Sequence, residues 1–230
     1  MNGLFRHVHD ATIAALAHNE CEVTEVPGQV CCGALAAHAG AHDLAQRLAR
    51  ENVAAFARTG GPIVVNSAGC GAMLRGYGAI LAGDPLEDEA LRVAARVRDV
   101  SELLAEQGPR PGTRAIPLRV AYDAPCHLIH AQQIVAPPLR LLAAVPGLTV
   151  VPLEGAERCC GSAGLYSMIE PGMSREVLAA KLAAIGRAAP DLVATGNPGC
   201  LMQIGGGTLL DDMGIGVVHP VELLAWSYRA

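Results

Sequence analysis

The sequence predicts an α/β protein made of two copies of one cysteine-rich unit, each a small parallel sheet with flanking helices. Three observations carry this expectation. Two vicinal cysteine pairs followed by glycine, Cys31-Cys32-Gly33 and Cys159-Cys160-Gly161, lie 128 residues apart (159 − 31), which marks an internal repeat. A Gly-Cys pair follows each of them, Gly69-Cys70 and Gly199-Cys200, at a spacing of 130 (200 − 70). Short apolar runs alternate with amphipathic stretches throughout, the pattern of βαβ units and parallel strands.

In the first copy, residues 22–27 (Glu-Val-Thr-Glu-Val-Pro) read as a short strand entering the loop of Cys31 and Cys32. Residues 42–58 space Leu44, Leu48, Val53 and Phe56 as one face of a helix. Gly60-Gly61-Pro62 breaks that helix, and Ile63-Val64-Val65 opens a strand that runs on to Gly69-Cys70. Each copy closes on a helix carrying Glu-Leu-Leu-Ala, from Glu102 and from Glu222, but this spacing falls to 120 (222 − 102). The first copy therefore carries an insertion, placed at residues 83–89 and read as a surface excursion. Residues 107–113, dense in Pro and Gly, read as a linker between domains 1–108 and 114–230.

In the second copy, a strand over residues 118–123 delivers Cys126 into a loop, and residues 148–153 form the strand before Cys159. A helix over 173–187 follows, with Val177, Leu178, Leu182 and Ile185 on its apolar face, and then a strand from 192 to Gly199-Cys200.

Composition narrows the chemistry. With 230 residues, 51% hydrophobic, the chain can bury a substantial core. A formal charge of −5 offers no basic surface for a nucleic-acid backbone. No run of 18 apolar residues predicts a transmembrane segment, and residues 1–7 lack a signal-peptide pattern, so a cytoplasmic location is expected. In a reducing compartment, eight cysteines point to metal binding or redox chemistry rather than to disulfides.

Cys126, Cys159, Cys160 and Cys200 are each brought to the carboxyl end of a strand, where open α/β sheets collect ligands. Four convergent thiolates suit an iron-sulfur cluster or a structural zinc. The vicinal pair favours iron and sulfur, because adjacent side chains diverge and reach separate irons more easily than two corners of one tetrahedron. The first copy offers Cys31, Cys32 and Cys70, and the repeat offset puts its fourth ligand about two positions before Met1. Gly33, Gly69, Gly161 and Gly199 are expected to let backbone approach the cluster, although each also fits an ordinary turn. Cys21, without a counterpart, reads as a structural thiol. His127 reads as a helix cap, with donation to a cluster sulfur as the alternative. His38 and His42 read as a solvated helix face, Met202 and Met213 as core or interface, and Gly205-Gly206-Gly207 as a flexible connection. No nucleotide loop, nucleophile elbow or catalytic carboxylate pair is visible.

Five stretches together resemble a known family: Val30-Cys31-Cys32-Gly33, Asn66-Ser67-Ala68-Gly69-Cys70-Gly71, Asp123-Ala124-Pro125-Cys126-His127, Arg158-Cys159-Cys160-Gly161 and Asn197-Pro198-Gly199-Cys200. It is the cysteine-rich CCG-domain family, which includes heterodisulfide reductase B-type proteins and the iron-sulfur subunits of glycolate and lactate oxidation systems, the glycolate oxidase type being the nearest. The resemblance implies electron transfer through an iron-sulfur cluster of the 4Fe-4S type held by the seven cysteines named above. The electrons would come from a partner subunit that carries FAD and oxidises a 2-hydroxy acid, with attachment to the inner face of a membrane, if any, through partners. The family's ferredoxin-like amino-terminal part, with its Cys-x2-Cys-x2-Cys-x3-Cys-Pro runs, has no match here. Ser67 and Asn197 stand where the heterodisulfide reductase pattern has cysteine. A zinc-stabilised scaffold or docking fragment, and a thiol/disulfide redox subunit, remain as alternatives.

Overall fold

Every strand pairing among the described residues is parallel, as a chain that returns through a helix after each strand requires. The computed structural model describes residues 3–229. The first half runs α1 (Arg6–His18), α2 (Ala34–His38), α3 (His42–Phe56), β1 (Ile63–Val65), α4 (Ala68–Arg75), α5 (Tyr77–Ile80), α6 (Glu87–Ala95), β2 (Val97–Asp99) and α7 (Val100–Gln107). The second runs β3 (Arg119–Asp123), a π-helical turn (His127–Ala131), α8 (Pro137–Ala143), β4 (Thr149–Val151), α9 (Tyr166–Ile169), α10 (Pro171–Ala188), β5 (Leu192–Thr195), α11 (Pro198–Leu210), β6 (Gly216–Val218) and α12 (Pro220–Ser227). β1 and β2 form one sheet, and the other has the order β4-β3-β5-β6.

The duplication is visible in detail. β1 pairs with β2 as β5 pairs with β6, and the second strand of each pair ends in a capping box. In α7 the box is Asp99 with Glu102, and in α12 it is His219 with Glu222. Gly33 and Gly161 share a left-handed backbone, with φ of 85° and 89°, so the turn itself requires glycine there.

The halves exchange helices. α1 and α8 stand at equivalent repeat positions; α1 packs on α12 of the second half, and α8 packs on α7 of the first. One core therefore draws Val8, Ala15 and Leu16 from α1, Leu104 from α7, Leu141 and Leu142 from α8, and Leu223 and Leu224 from α12. Two further cores belong to single halves. Val53, Phe56, Leu74, Tyr77, Leu81 and Val93 fill the first, and Val151, Leu182, Ile185, Val193 and Ile204 fill the second.

Several local expectations change. Residues 22–27 are not a strand; β4, their counterpart, pairs with β3, and among the described residues no first-half strand lies beside 22–27. An unpaired strand leaves its backbone groups without ladder partners. The strands from 63 and 192 end at Val65 and Thr195, and both Gly-Cys pairs lie in the first turns of α4 and α11. The insertion is not merely a surface excursion, because it leads into α6, whose Ala90 and Val93 join the first-half core. Gly205-Gly206-Gly207 is helical, inside α11, and a Cβ on Gly207 would come within 2.8 Å of Leu182 on α10. Close helix packing outweighs the low helix propensity of glycine there. Met202 is largely exposed, whereas Met213 packs on the second-half core. The stretch after α7 is pinned, with the backbone N–H groups of Thr113 and Arg114 both donating to the Ser227 carbonyl at 2.9 Å.

Candidate functional site

Lys181, on α10, gathers the loops of the second half. Its ammonium lies 2.7 Å from Asp123 Oδ1 at the end of β3 and donates to the carbonyls of Gly155 and Ala156 at 2.8 and 3.1 Å. Two carbonyl acceptors and one carboxylate counter-charge surround the ammonium, an arrangement that the planar arginine fork does not reproduce. Asp123 Oδ2 accepts from Thr195 Oγ1 on β5 at 2.9 Å. Burial pushes the Asp123 carboxyl up, and Lys181 opposes that shift. This buried network fixes the three segments that lead to Cys126, Cys159-Cys160 and Cys200.

The four thiols of the second half come together. Cys160 and Cys200 are buried, 4% and 3% exposed, and their sulfurs are 2.9 Å apart. Cys126 is half-buried and Cys159 exposed. Cys126 and Cys160 are the thiols that act most strongly on Cys159, and the Gly161 N–H donates to the Cys159 sulfur at 3.3 Å. These contacts hold the Cys159 thiol well below its usual range and raise its two neighbours, with Lys181 adding a smaller downward pull on Cys159. Cys200 occupies the first turn of α11. His127 Nδ1 is 3.7 Å from Cys126 Sγ. The same ring stacks on His38 of the first half with centroids 5.8 Å apart, and burial lowers its pKa.

The first half repeats the plan with different chemistry. Asn52, which stands on α3 where Lys181 stands on α10, accepts from Val30 N at 3.0 Å and donates to Cys31 O at 3.0 Å and to Tyr77 Oη at 2.9 Å. Tyr77 Oη in turn donates to Cys32 O at 2.9 Å. Cys70 lies in the first turn of α4, where Ser67 Oγ accepts from its N–H at 3.5 Å. Cys32 and Cys70 act on each other, lowering the Cys70 thiol and raising that of Cys32, with burial adding to the rise. Cys31 is exposed. Cys21 lies elsewhere, with its thiol against Gln107 Oε1 at 3.2 Å. The expected upstream fourth ligand falls outside the described residues. His38 closes α2 and His42 opens α3, so the two do not share a helix face.

The other glycines answer to packing. A Cβ on Gly161 would sit 2.5 Å from the Ser174 carbonyl, and one on Gly199 would sit 2.6 Å from Ser162 Oγ. Sequence reasoning missed Lys181, Asn52 and Tyr77. Lys181 had a signal, since it is the only lysine in the chain.

The donor set fits an iron-sulfur cluster in chemistry: four sulfurs, on three separate segments, at the carboxyl ends of parallel strands. The spacing is contracted. Two sulfurs on one tetrahedral zinc, with Zn–S of about 2.3 Å, stand about 3.8 Å apart, so Cys160 and Cys200 must spread to accept any metal. Accordingly, no three His, Cys, Asp or Glu side chains among the described residues are spaced to share one ion as they stand. No disulfide joins the pair, whose separation exceeds the bond length of about 2.05 Å.

The cysteine-rich domain model, CCG, matches residues 1–75 and 120–205, the two segments that carry all seven of these cysteines. The chain belongs to the CCG cysteine-rich domain family. A probable glycolate oxidase iron-sulfur subunit of Bacillus subtilis (strain 168) is 34% identical, over 97% of this chain and 52% of the relative. Lactate utilization protein A of an Exiguobacterium species is 31% identical, over 96% of this chain and 91% of the relative. The glycolate oxidase iron-sulfur subunit of Escherichia coli (strain K12) is 31% identical, over 74% of this chain and 43% of the relative. This CCG chain thus spans about half the length of the glycolate oxidase relatives and most of a lactate utilization protein A. No helix among the described residues is long and apolar enough to cross a membrane.

Proposed function

We propose that this chain is an iron-sulfur electron-transfer subunit of a 2-hydroxy-acid oxidase system. Cys126, Cys159, Cys160 and Cys200 would hold a 4Fe-4S cluster in the second CCG unit (114–230), and Cys31, Cys32 and Cys70 would form the corresponding site of the first (1–108). The observation that carries this reading is the convergence of four thiols from three loops, two of them buried in contact with one another. The names of the glycolate oxidase and lactate utilization relatives support the substrate class. Oxidation of a 2-hydroxy acid to a 2-oxo acid releases two electrons and two protons. A flavin on a partner subunit would take them, and the cluster would pass the electrons on singly.

The residues of this chain then position and tune. Lys181 places a positive charge near Cys159 and fixes the loops, and the Gly161 N–H points at a ligand sulfur. Such contacts set the potential of a cluster. Anaerobic reconstitution with iron and sulfide tests the proposal. The expected result is stoichiometric iron and acid-labile sulfide with an EPR signal on reduction. Binding of zinc alone, with no sulfide, would overturn it in favour of a zinc-stabilised scaffold.

A further inference from the structure

The two cysteine sites touch through the turns that precede their Gly-Cys helices. Ala68 N–H donates to Gly196 O at 3.0 Å, and Gln132, just beyond the Cys126 loop, donates from Nε2 to Ala68 O at 2.9 Å. Between them stands Asn197. Its Oδ1 accepts from Gly69 N–H at 3.1 Å, and its Nδ2 lies 3.6 Å from Cys200 Sγ. The amide orientation follows from chemistry: Gly69 N–H can only donate, so the oxygen must face it, and the donor end is left for the sulfur. Gly69 precedes Cys70 and sits in the opening turn of α4, where a backbone N–H has no partner within its own helix.

We propose that Asn197 is a positioning residue that couples the two sites, one amide being hydrogen-bonded at once to Cys200 of the second site and to the backbone beside Cys70 of the first. The reading of its sulfur partner as a cluster ligand rests on the function proposed above. A donor to a ligand sulfur stabilises the more negative, reduced cluster, so a shift of α4 when the first site changes must move the amide and alter the second. The repeat-related Ser67 does not reproduce the bridge, because its hydroxyl accepts from Cys70 N–H within its own turn. Gln132 also spans the two sites, but Asn197 is the side chain that joins a site sulfur to the backbone beside Cys70.

Two measurements test this. In cofactor-free protein, hydrogen exchange at the Gly69 amide should quicken roughly tenfold in Asn197→Leu, the loss of one hydrogen bond, and stay near wild type in Asn197→Asp, which keeps the acceptor. In protein loaded with iron and sulfide, Asn197→Asp should shift the midpoint of the second site to more negative potential. Cys70→Ser should shift that midpoint in the Asn197 background and lose this effect in the Asn197→Leu background. Unchanged exchange at Gly69 in Asn197→Leu would overturn the bridge, and an equal Cys70→Ser shift in both backgrounds would overturn the coupling. If wild type takes up no iron and sulfide, the cluster reading fails, and the exchange measurement alone still decides whether Asn197 joins the two halves.

Discussion

Cys160 and Cys200 hold their sulfurs 2.9 Å apart, although 40 residues separate them in the chain. Both are buried, so their contact forms the closed side of the second site, while Cys159 and Cys126 form its more accessible side. Removing a buried member of this pair strips the wall of the site without touching the surface around it.

Cys160→Ala should therefore lower iron per chain and abolish most visible absorption after reconstitution, because an incomplete thiolate set leaves a cluster labile. Cys21→Ser should leave iron unchanged, since Cys21 sits against Gln107 and Asn19 O, apart from the other cysteines. Iron and sulfide assays on the two variants in parallel check both statements, and equal iron in wild type and Cys160→Ala would remove Cys160 from the site.

Lys181→Met should destabilise the fold by about 3–5 kcal/mol, as the loss of one partner leaves a buried charge uncompensated. Lys181→Met with Asp123→Asn should recover the larger part of that loss. Lys181→Arg should behave more like the methionine variant than like wild type, because its planar head cannot serve the Asp123 carboxylate and the carbonyls of Gly155 and Ala156 together. Urea unfolding at neutral pH gives the three values.

The two capping boxes should oppose each other on acidification. His219 is fully buried with its pKa lowered to about 3 by burial; Asn66 O counters this only weakly, and Nε2 makes no hydrogen bond of normal geometry. Between pH 6.5 and 3 the unfolded chain binds a proton there that the native state does not, so this residue removes stability as pH falls. Asp99 is raised by burial to about 6, so between pH 6 and 3.8 the native state binds the extra proton and stability rises as pH falls. Each contributes up to about 1.4 kcal/mol per pH unit in its window. Relative to wild type, Asp99→Asn should steepen the loss of stability from pH 6 to 4, and His219→Asn should reduce it. Denaturant titrations at stepped pH measure the slopes, and slopes that match wild type in both variants would refute the opposition.

Gly161→Ala should cost far more than Gly33→Ala. Both glycines have left-handed φ, but a Cβ at 161 meets the Ser174 carbonyl at 2.5 Å, whereas at 33 its nearest neighbour is 3.5 Å away. Gly33→Ala should lose about 1–2 kcal/mol, the left-handed penalty alone, and Gly161→Ala should disrupt the loop, read as a fall in Tm together with loss of iron uptake.

Much of this architecture was legible because it repeats. The CCG and Gly-Cys pairs, the helices after them and the two Glu-Leu-Leu-Ala helices each appear twice, so one pattern supported the other. What sequence spacing does not reveal is contact between the copies. Asn197 and Gly69 are 128 residues apart, and neither has a local pattern that announces the other. The strand expected at 22–27 failed for a related reason: its residues suit a strand, but strand formation depends on a neighbour. Gly205-Gly206-Gly207 misled in the opposite direction, since glycine weakens an isolated helix and yet permits the close approach of α10 and α11.

The exchange of α1 and α8 between the halves has a consequence for biosynthesis. α1 is synthesised well before its packing partner α12, and Asn19 Nδ2 meets Tyr228 Oη at 3.1 Å across a separation of 209 residues. At about 5–20 residues per second, translation from the end of α1 to α12 takes roughly 10–40 s, and throughout that time Val8, Ala11, Ala15 and Leu16 have no α12 to cover them. The shared core can close only once α12 has emerged, so α1 keeps its apolar face uncovered while all the elements between the two helices are made.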